Sequence, residues 1–332
     1  MPKRSFCRTI NAQNSVELPT IRPSTMPIIS IFGATGSQGS AVVDAVLADG
    51  KYTPRAISRR LDSDASKALI ARGVEVVVGN LWDVESLKKA IRGSEAVFAV
   101  TNFWDPEVFP ADPKGKGEIT QGKNLVDAAK AEGIKFFIWS SLPNITELSK
   151  GLYTHVYHCD NKAVILEYLK ASGVPYAVLF TGWFIENLWK VGSLQKTDSG
   201  YIIPIPKFAP EDRQSATWVA HDLGQAALAL LKHYAEPSKK VLGREYPVMS
   251  FKFTYPRARG GDRGRTVAIK KPVTFVPVES AGMAELDEMF LFQAKTEMYN
   301  DTAFPNPDLV ALGVKFSTLE EFIQKEVVPR FA

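Results

Sequence analysis

The chain has 332 residues, 45% of them hydrophobic, with 40 Lys and Arg against 36 Asp and Glu for a formal net charge of +4. That apolar content supports a large buried core, and no run of eighteen apolar residues is present to span a membrane. The near-balance of charge gives direct nucleic-acid binding no support, and the two cysteines, Cys7 and Cys159, are too few and too far apart to staple the fold, which suits a reducing, cytoplasmic compartment.

The first 25 residues carry Lys3, Arg4, Arg8 and Arg22 among serines, with Glu17 as the single acid. This composition reads as a disordered extension over 1–26, and a mitochondrial leader is the alternative reading. From residue 27 onward, short apolar runs at 28–32, 55–57, 74–78, 96–100, 136–139 and 176–180 alternate with helical patterns at 40–48, 65–72, 84–91, 122–132 and 162–172. The runs are continuously apolar instead of alternating, as expected of strands covered on both faces, and the intervening helices serve as crossovers. The fold class expected is therefore α/β, a Rossmann-type doubly wound parallel sheet over 27–182. A smaller, mostly helical lobe over 183–332 should follow, with helices at 222–233, 284–296 and 318–328. Within it, 249–271 ends in the segment RARGGDRGRTVAIKK, whose bias marks a loop.

The first strand runs into G-A-T-G-S-Q-G, with glycines at 33, 36 and 39, and then into an apolar-periodic helix. A dinucleotide site needs that sequence of parts: a first glycine for the tight turn, a second for close approach of pyrophosphate, and a third for helix packing. Gly33, Ala34, Thr35, Gly36, Ser37, Gln38 and Gly39 are thus cofactor-binding candidates, with the helix N-terminus facing the phosphates. At the end of the second strand, NAD-specific sites carry an acid for the ribose 2′-OH. Here Arg59 and Arg60 stand instead, and Arg59 suits the 2′-phosphate of NADP(H). Later strands end in G-N-L-W and V-T-N-F-W, which places Asn80, Leu81, Thr101, Asn102 and Phe103 beside the adenine and the middle of the cofactor.

Taken in order, G-A-T-G-S-Q-G, G-V-E-V-V-V-G-N-L, T-N-F-W, Q-G-K-N-L-V-D-A-A, H-C-D-N-K and W-F-I-E-N-L form a set that resembles the NmrA-like family, an atypical branch of the short-chain dehydrogenase/reductase superfamily. The resemblance implies a Rossmann domain, bound NADP(H), and members that act either as redox-sensing regulators of transcription factors or signalling proteins or as oxidoreductases. It adds Lys123, Lys162, Phe184, Ile185, Glu186 and Asn187 as cofactor contacts. It also implies that a lone lysine at the place of Lys162 serves as acid or base, as in the related isoflavone reductase-like enzymes.

Short-chain dehydrogenases pair a tyrosine with a lysine four residues on, the phenol moving the proton. In this chain the fourth residue before Lys162 is His158; Tyr157 lies five before, displaced around a helix from the lysine's face. Lys162, His158 and Ser141 are the catalytic candidates, and Trp104, Trp183, Phe184, Trp189 and Tyr201 are candidates for an aromatic wall against a small apolar substrate. No metal is expected. A redox-sensing regulator with a protein partner, cytoplasmic or also nuclear, is the first reading. NADPH-dependent reduction of an apolar carbonyl or enone is the alternative.

Overall fold

The computed structural model describes residues 26–207, 209, 211–254, 271–296, 298–299 and 302–331; the extension over 1–25 and nearly all of the basic segment 257–271 lie outside the described residues. A seven-stranded parallel sheet is built from β1 (Ile28–Ile31), β2 (Thr53–Ser58), β3 (Glu75–Val78), β4 (Ala96–Ala99), β5 (Phe136–Ser141), β6 (Tyr176–Thr181) and a strand from far along the chain, Glu245–Val248, called β11 below. Its order is β11-β6-β5-β4-β1-β2-β3, so the direction of winding reverses between β1 and β4. Ligands of open α/β sheets bind at the carboxyl ends of strands beside such a reversal.

The central strands β1, β4, β5 and β6 lack polar alternation because both faces are covered. On one face α1 (Ser37–Asp49), α2 (Asp64–Ala71) and α8 (Gly224–His233) pack with Ile29, Ile31, Phe98 and Ile138. On the other, α3 (Val84–Ile91), α4 (Gly117–Ala131) and α6 (Tyr157–Ser172) pack with Phe32, Val97, Phe137 and Trp139. Buried Ile165, Leu166 and Leu169 seat α6, each contributing roughly 1.5–3 kcal/mol.

Beyond β6 the chain makes β7 (Trp183–Phe184), a short helix α7 (Asn187–Lys190), β8 (Gln195–Thr197), β9 (Gly200–Pro206), β10 (Gln214–Thr217), β12 (Phe251–Phe253) and β13 (Val273–Val278). These give two three-stranded sheets, β12-β10-β7 and β13-β9-β8. The lobe thus carries strands as well as helices. Proline and aromatic residues inside the longer of these strands, β9 and β13, keep a plain apolar run from being read in the sequence. Helix α9 (Ala284–Thr296) stands where sequence periodicity places it. A small cluster of Ile145, Val156, Cys159, Phe292 and Met298 joins α9 to the short helix α5 (Ile145–Leu148) and the start of α6.

Candidate functional site

The turn between β1 and α1 is shaped by two glycines for different reasons. Gly33 has φ +65°, a left-handed conformation, and a Cβ there would lie 2.8 Å from Val100. At Gly39 a Cβ would lie 2.3 Å from the backbone of Gly33, so the helix packs directly on the turn. Gly36 differs: a Cβ would meet only the Gly33 carbonyl oxygen, at 3.4 Å, leaving the exposed side of the turn open. Ala34 is buried beneath the turn and Thr35 is exposed above it. Helix α1 has no side-chain cap and no acid in its first turn, so its N-terminal partial charge is uncompensated. Lys190, at the end of α7, donates to Ser37 Oγ at 2.8 Å. A cation at a helix N-terminus is disfavoured unless an anion joins it.

Arg59 follows β2 and Asp105 lies in the loop after β4; their ion pair, at 2.7 Å, crosses the carboxyl end of β1 between them. No acid near Arg59 in sequence foretells this partner, 46 residues on. Arg59 remains 66% exposed and keeps donors to offer, while Asp105 is largely buried. The loops beyond are fixed locally: Asn80 Oδ1 accepts from Trp82 N, Asn102 Oδ1 accepts from Trp104 N, and Asn124 Nδ2 donates to the Leu81 carbonyl. Phe103 is enclosed by Phe109, Trp104, His158 and Gly115, and so shapes the loop from within.

Lys162, from the second turn of α6, reaches the carboxylate of Glu118 in the first turn of α4, and Thr101 Oγ1 donates to the same oxygen at 2.7 Å. Glu118 is fully buried and its second oxygen has no hydrogen-bond partner among the described residues. Nearby, Ser140 Oγ donates to Gln38 Oε1 at 2.5 Å, joining the end of β5 to α1. Ser141 directs its hydroxyl to the carbonyls of Lys162 and Leu142, which places it as a fastener of α6.

His158 lies on the first turn of α6. Its Nδ1 meets Glu285 Oε1 from α9, and its Nε2 lies 3.4 Å from Cys159 Sγ. Burial alone lowers the imidazole pKa, but Cys159 and the Glu285 carboxylate outweigh it and raise it to about 10. The ring is therefore charged at neutral pH. Tyr157, offset from Lys162 as the spacing predicts, has its phenol pushed up by burial and by Glu285 and Glu288.

The remaining sequence candidates are held by contacts of their own. Lys123 sits 5.1 Å over the ring of Tyr168 on α6. Ile185 is buried in the lobe core, and Glu186 Oε1 accepts from Ala220 N, with burial raising its pKa. Phe184 packs against the sheet-side core and Asn187 opens α7. The expected aromatic wall divides: Trp104 stays with Phe103, Phe109 and His158, whereas Trp189 and Tyr201 pack on Phe322 and Phe331 inside the lobe. Sequence reasoning missed Glu118, Asp105, Glu285 and Lys190. Of these, only Lys190 carried a local signal, three residues past F-I-E-N.

Among the described residues no cluster of His, Cys, Asp and Glu is fit to hold a metal ion, and no helix is long and apolar enough to cross a membrane. An NmrA-like family domain-containing oxidoreductase of Penicillium ochrochloron is 27% identical over 320 residues, covering 92% of this chain and 95% of that protein. Among solved structures, NmrA, a negative transcriptional regulator in complex with NADP, superposes with a TM-score of 0.72 at 19% identity, over 92% of this chain and 97% of its own. An NADPH-dependent quinone oxidoreductase of Escherichia coli gives a TM-score of 0.67 at 21% identity, over 89% and 98%. These two likenesses carry the fold; NmrA has also been solved in complex with NAD, with the same TM-score of 0.72 and 19% identity to this chain. The model of the NmrA-like family itself matches residues 26–323, and the chain belongs to that family.

Proposed function

We propose that the protein is an NADP(H)-dependent oxidoreductase that reduces a small, apolar carbonyl or enone compound. The observation that carries this reading is the buried pair of Lys162 with Glu118, which Thr101 ties to the carboxyl end of β4, the neighbour in the sheet of β1, whose carboxyl end leads into the uncapped N-terminus of α1. The residues fit the nucleotide: the open side of Gly36, the α1 N-terminus and Lys190 suit a pyrophosphate, and Arg59 suits a 2′-phosphate. The Asn80 and Leu81 loop suits the adenine. When bound, the cofactor supplies the hydride. The chain supplies the rest: Lys162 holds a proton for the substrate oxygen, and Trp104 and Phe109, packed edge to face, offer apolar rings beside His158.

A redox sensor acting through a transcription factor or signalling partner, the first reading of the sequence, is the second here. It is favoured by the missing tyrosine and by the commitment of the His158 ring to Glu285 and Cys159, which leaves it poorly placed to exchange protons with a substrate. Titration with NADP, NADPH, NAD and NADH, followed by NADPH oxidation across a panel of quinones, enones and aromatic ketones, decides between them. Turnover abolished in Lys162→Met supports the reductase. Tight NADP(H) binding with no turnover on any member of the panel, together with a partner retained only in one redox state of the nucleotide, overturns it.

A further inference from the structure

Glu118 has no place in the sequence reading, yet it pairs with the lysine that the reading singles out. Its side chain is 0% exposed, and three separate elements converge on it: Thr101 from the end of β4, Glu118 itself from the start of α4, and Lys162 from α6. The approach of α4 to α6 is itself pinned one residue before the lysine. Asn161, also buried, donates through Nδ2 to the carbonyls of Lys114 and Gly115, just upstream of Glu118. The meeting of acid and lysine is therefore built into the backbone and does not rest on two flexible side chains alone.

Taking an ammonium out of water without a counter-charge drives it to shed its proton, and breaking one half of a buried pair leaves the other half uncompensated. A lysine that must arrive at the substrate already protonated needs an acid of this kind. We propose that Glu118 is the positioning residue of the site: it keeps Lys162 as a buried ammonium and, through the oxygen it shares with Thr101, fixes where that ammonium points. The catalytic half of this inference rests on the reductase reading; the charge-holding half does not. In the reduction, the carbonyl carbon gains the hydride supplied by NADPH and the C=O π pair moves to oxygen. One N–H bond of Lys162 breaks as its proton passes to that oxygen, and the neutral amine regains a proton from water. Glu118 exchanges no atom and remains a carboxylate throughout.

The test labels the full-length, nucleotide-free protein with a trace of acetic anhydride across pH, reading Lys162 by peptide mass spectrometry with exposed Lys51 as the internal reference. In Glu118→Gln, labelling of Lys162 should begin about one pH unit or more lower than in the wild type, while Lys51 is unchanged. Glu118→Asp, which keeps the charge, should return it toward the wild-type value. Onset at the same pH in wild type and Glu118→Gln overturns the proposal. Should the single variant not fold, Glu118→Gln/Lys162→Met carries the test. A neutral pair of similar size should fold, and its failure to do so would show that charge compensation is not what the site needs. With turnover in hand, the alkaline limb of kcat/KM should move down with the labelling onset while KM for NADPH stays within about threefold. A labelling shift in a protein that turns over no substrate removes the reductase reading and leaves Glu118 in its role.

Discussion

At the scale of single residues, the glycine turn separates packing from binding. Gly33 and Gly39 are demanded by the protein itself, since a Cβ at either collides with neighbours at 2.8 Å or less. At Gly36 the protein leaves room, so any requirement there comes from what binds. Gly36→Ala should therefore keep its melting temperature within a degree or two while losing most of its NADPH affinity by fluorescence titration; undiminished affinity would put the pyrophosphate elsewhere. Arg59 is a matter of competition. Its pair with Asp105 is mostly solvent-exposed on the arginine side and contributes about 0–1 kcal/mol, whereas charge-assisted hydrogen bonds to a phosphate are worth about 1.5–3 kcal/mol. The phosphate should win. Arg59→Ala is expected to weaken NADP by about 10–100-fold and NAD by little. Asp105→Asn, which keeps Oδ1 as an acceptor for Glu107 N, should tighten NADP by up to about fivefold without changing NAD. Equal changes for both nucleotides in calorimetry would count against this placement of the 2′-phosphate.

At the scale of elements, the start of α6 owes its stability to a partner 127 residues away. No side chain of its own caps the helix; Glu285 on α9 accepts from Tyr157 N and His158 N at 2.8 and 2.9 Å and meets the His158 ring. One turn on, Glu288 accepts from His155 N and meets the His155 ring. Because His158 has a folded pKa of about 10 against 6.5 for the free side chain, its contribution is present in full below about pH 6.5 and is lost as pH rises through about 10. Glu285→Ala should destabilise by about 3 kcal/mol in urea melts at pH 7, and the gap to the wild type should narrow between pH 8 and 11. A gap that stays constant over that range would remove the imidazolium from the account.

The same long-range cap explains where sequence reading stopped. Helix α3 was legible to the residue because Asp83 caps it locally, accepting from Glu85 N and Ser86 N. Helices α4 and α6 begin about a turn before their legible patterns, after Lys116 and Val156, neither of which is a capping residue. Those two extra turns hold Glu118 and His158, so the acid that partners Lys162 lay in what reads as loop. Strands β1, β4, β5 and β6, by contrast, announced themselves, since burial on both faces leaves a mark that needs no distant partner to be recognised.

At the scale of the whole molecule, the boundary suggested by the change of rhythm after residue 182 does not divide the packing. The lobe returns β11 to the edge of the main sheet beside β6, pairing Tyr246 with Leu179 and Val248 with Thr181. It also returns α8 to the flank of α1, so closely that a Cβ on Gly224 would lie 2.3 Å from the Ala41 carbonyl oxygen. Leu223, Leu230, Tyr246 and Val248, all buried in that core, are together worth roughly 6–12 kcal/mol of burial, comparable with the 5–15 kcal/mol that holds an ordinary domain folded. A fragment of residues 26–182 would lose this contribution and expose the β6 edge as a template for aggregation. It should therefore show no cooperative urea transition by circular dichroism and should associate on concentration, even though it keeps the glycine turn, Arg59, Glu118 and Lys162. A fragment that unfolds cooperatively with near-native stability would mean that the lobe is an appendage. The packing of α8 and β11 argues instead that the glycine turn is stable only when the lobe, which brings Lys190 to it, has folded with it.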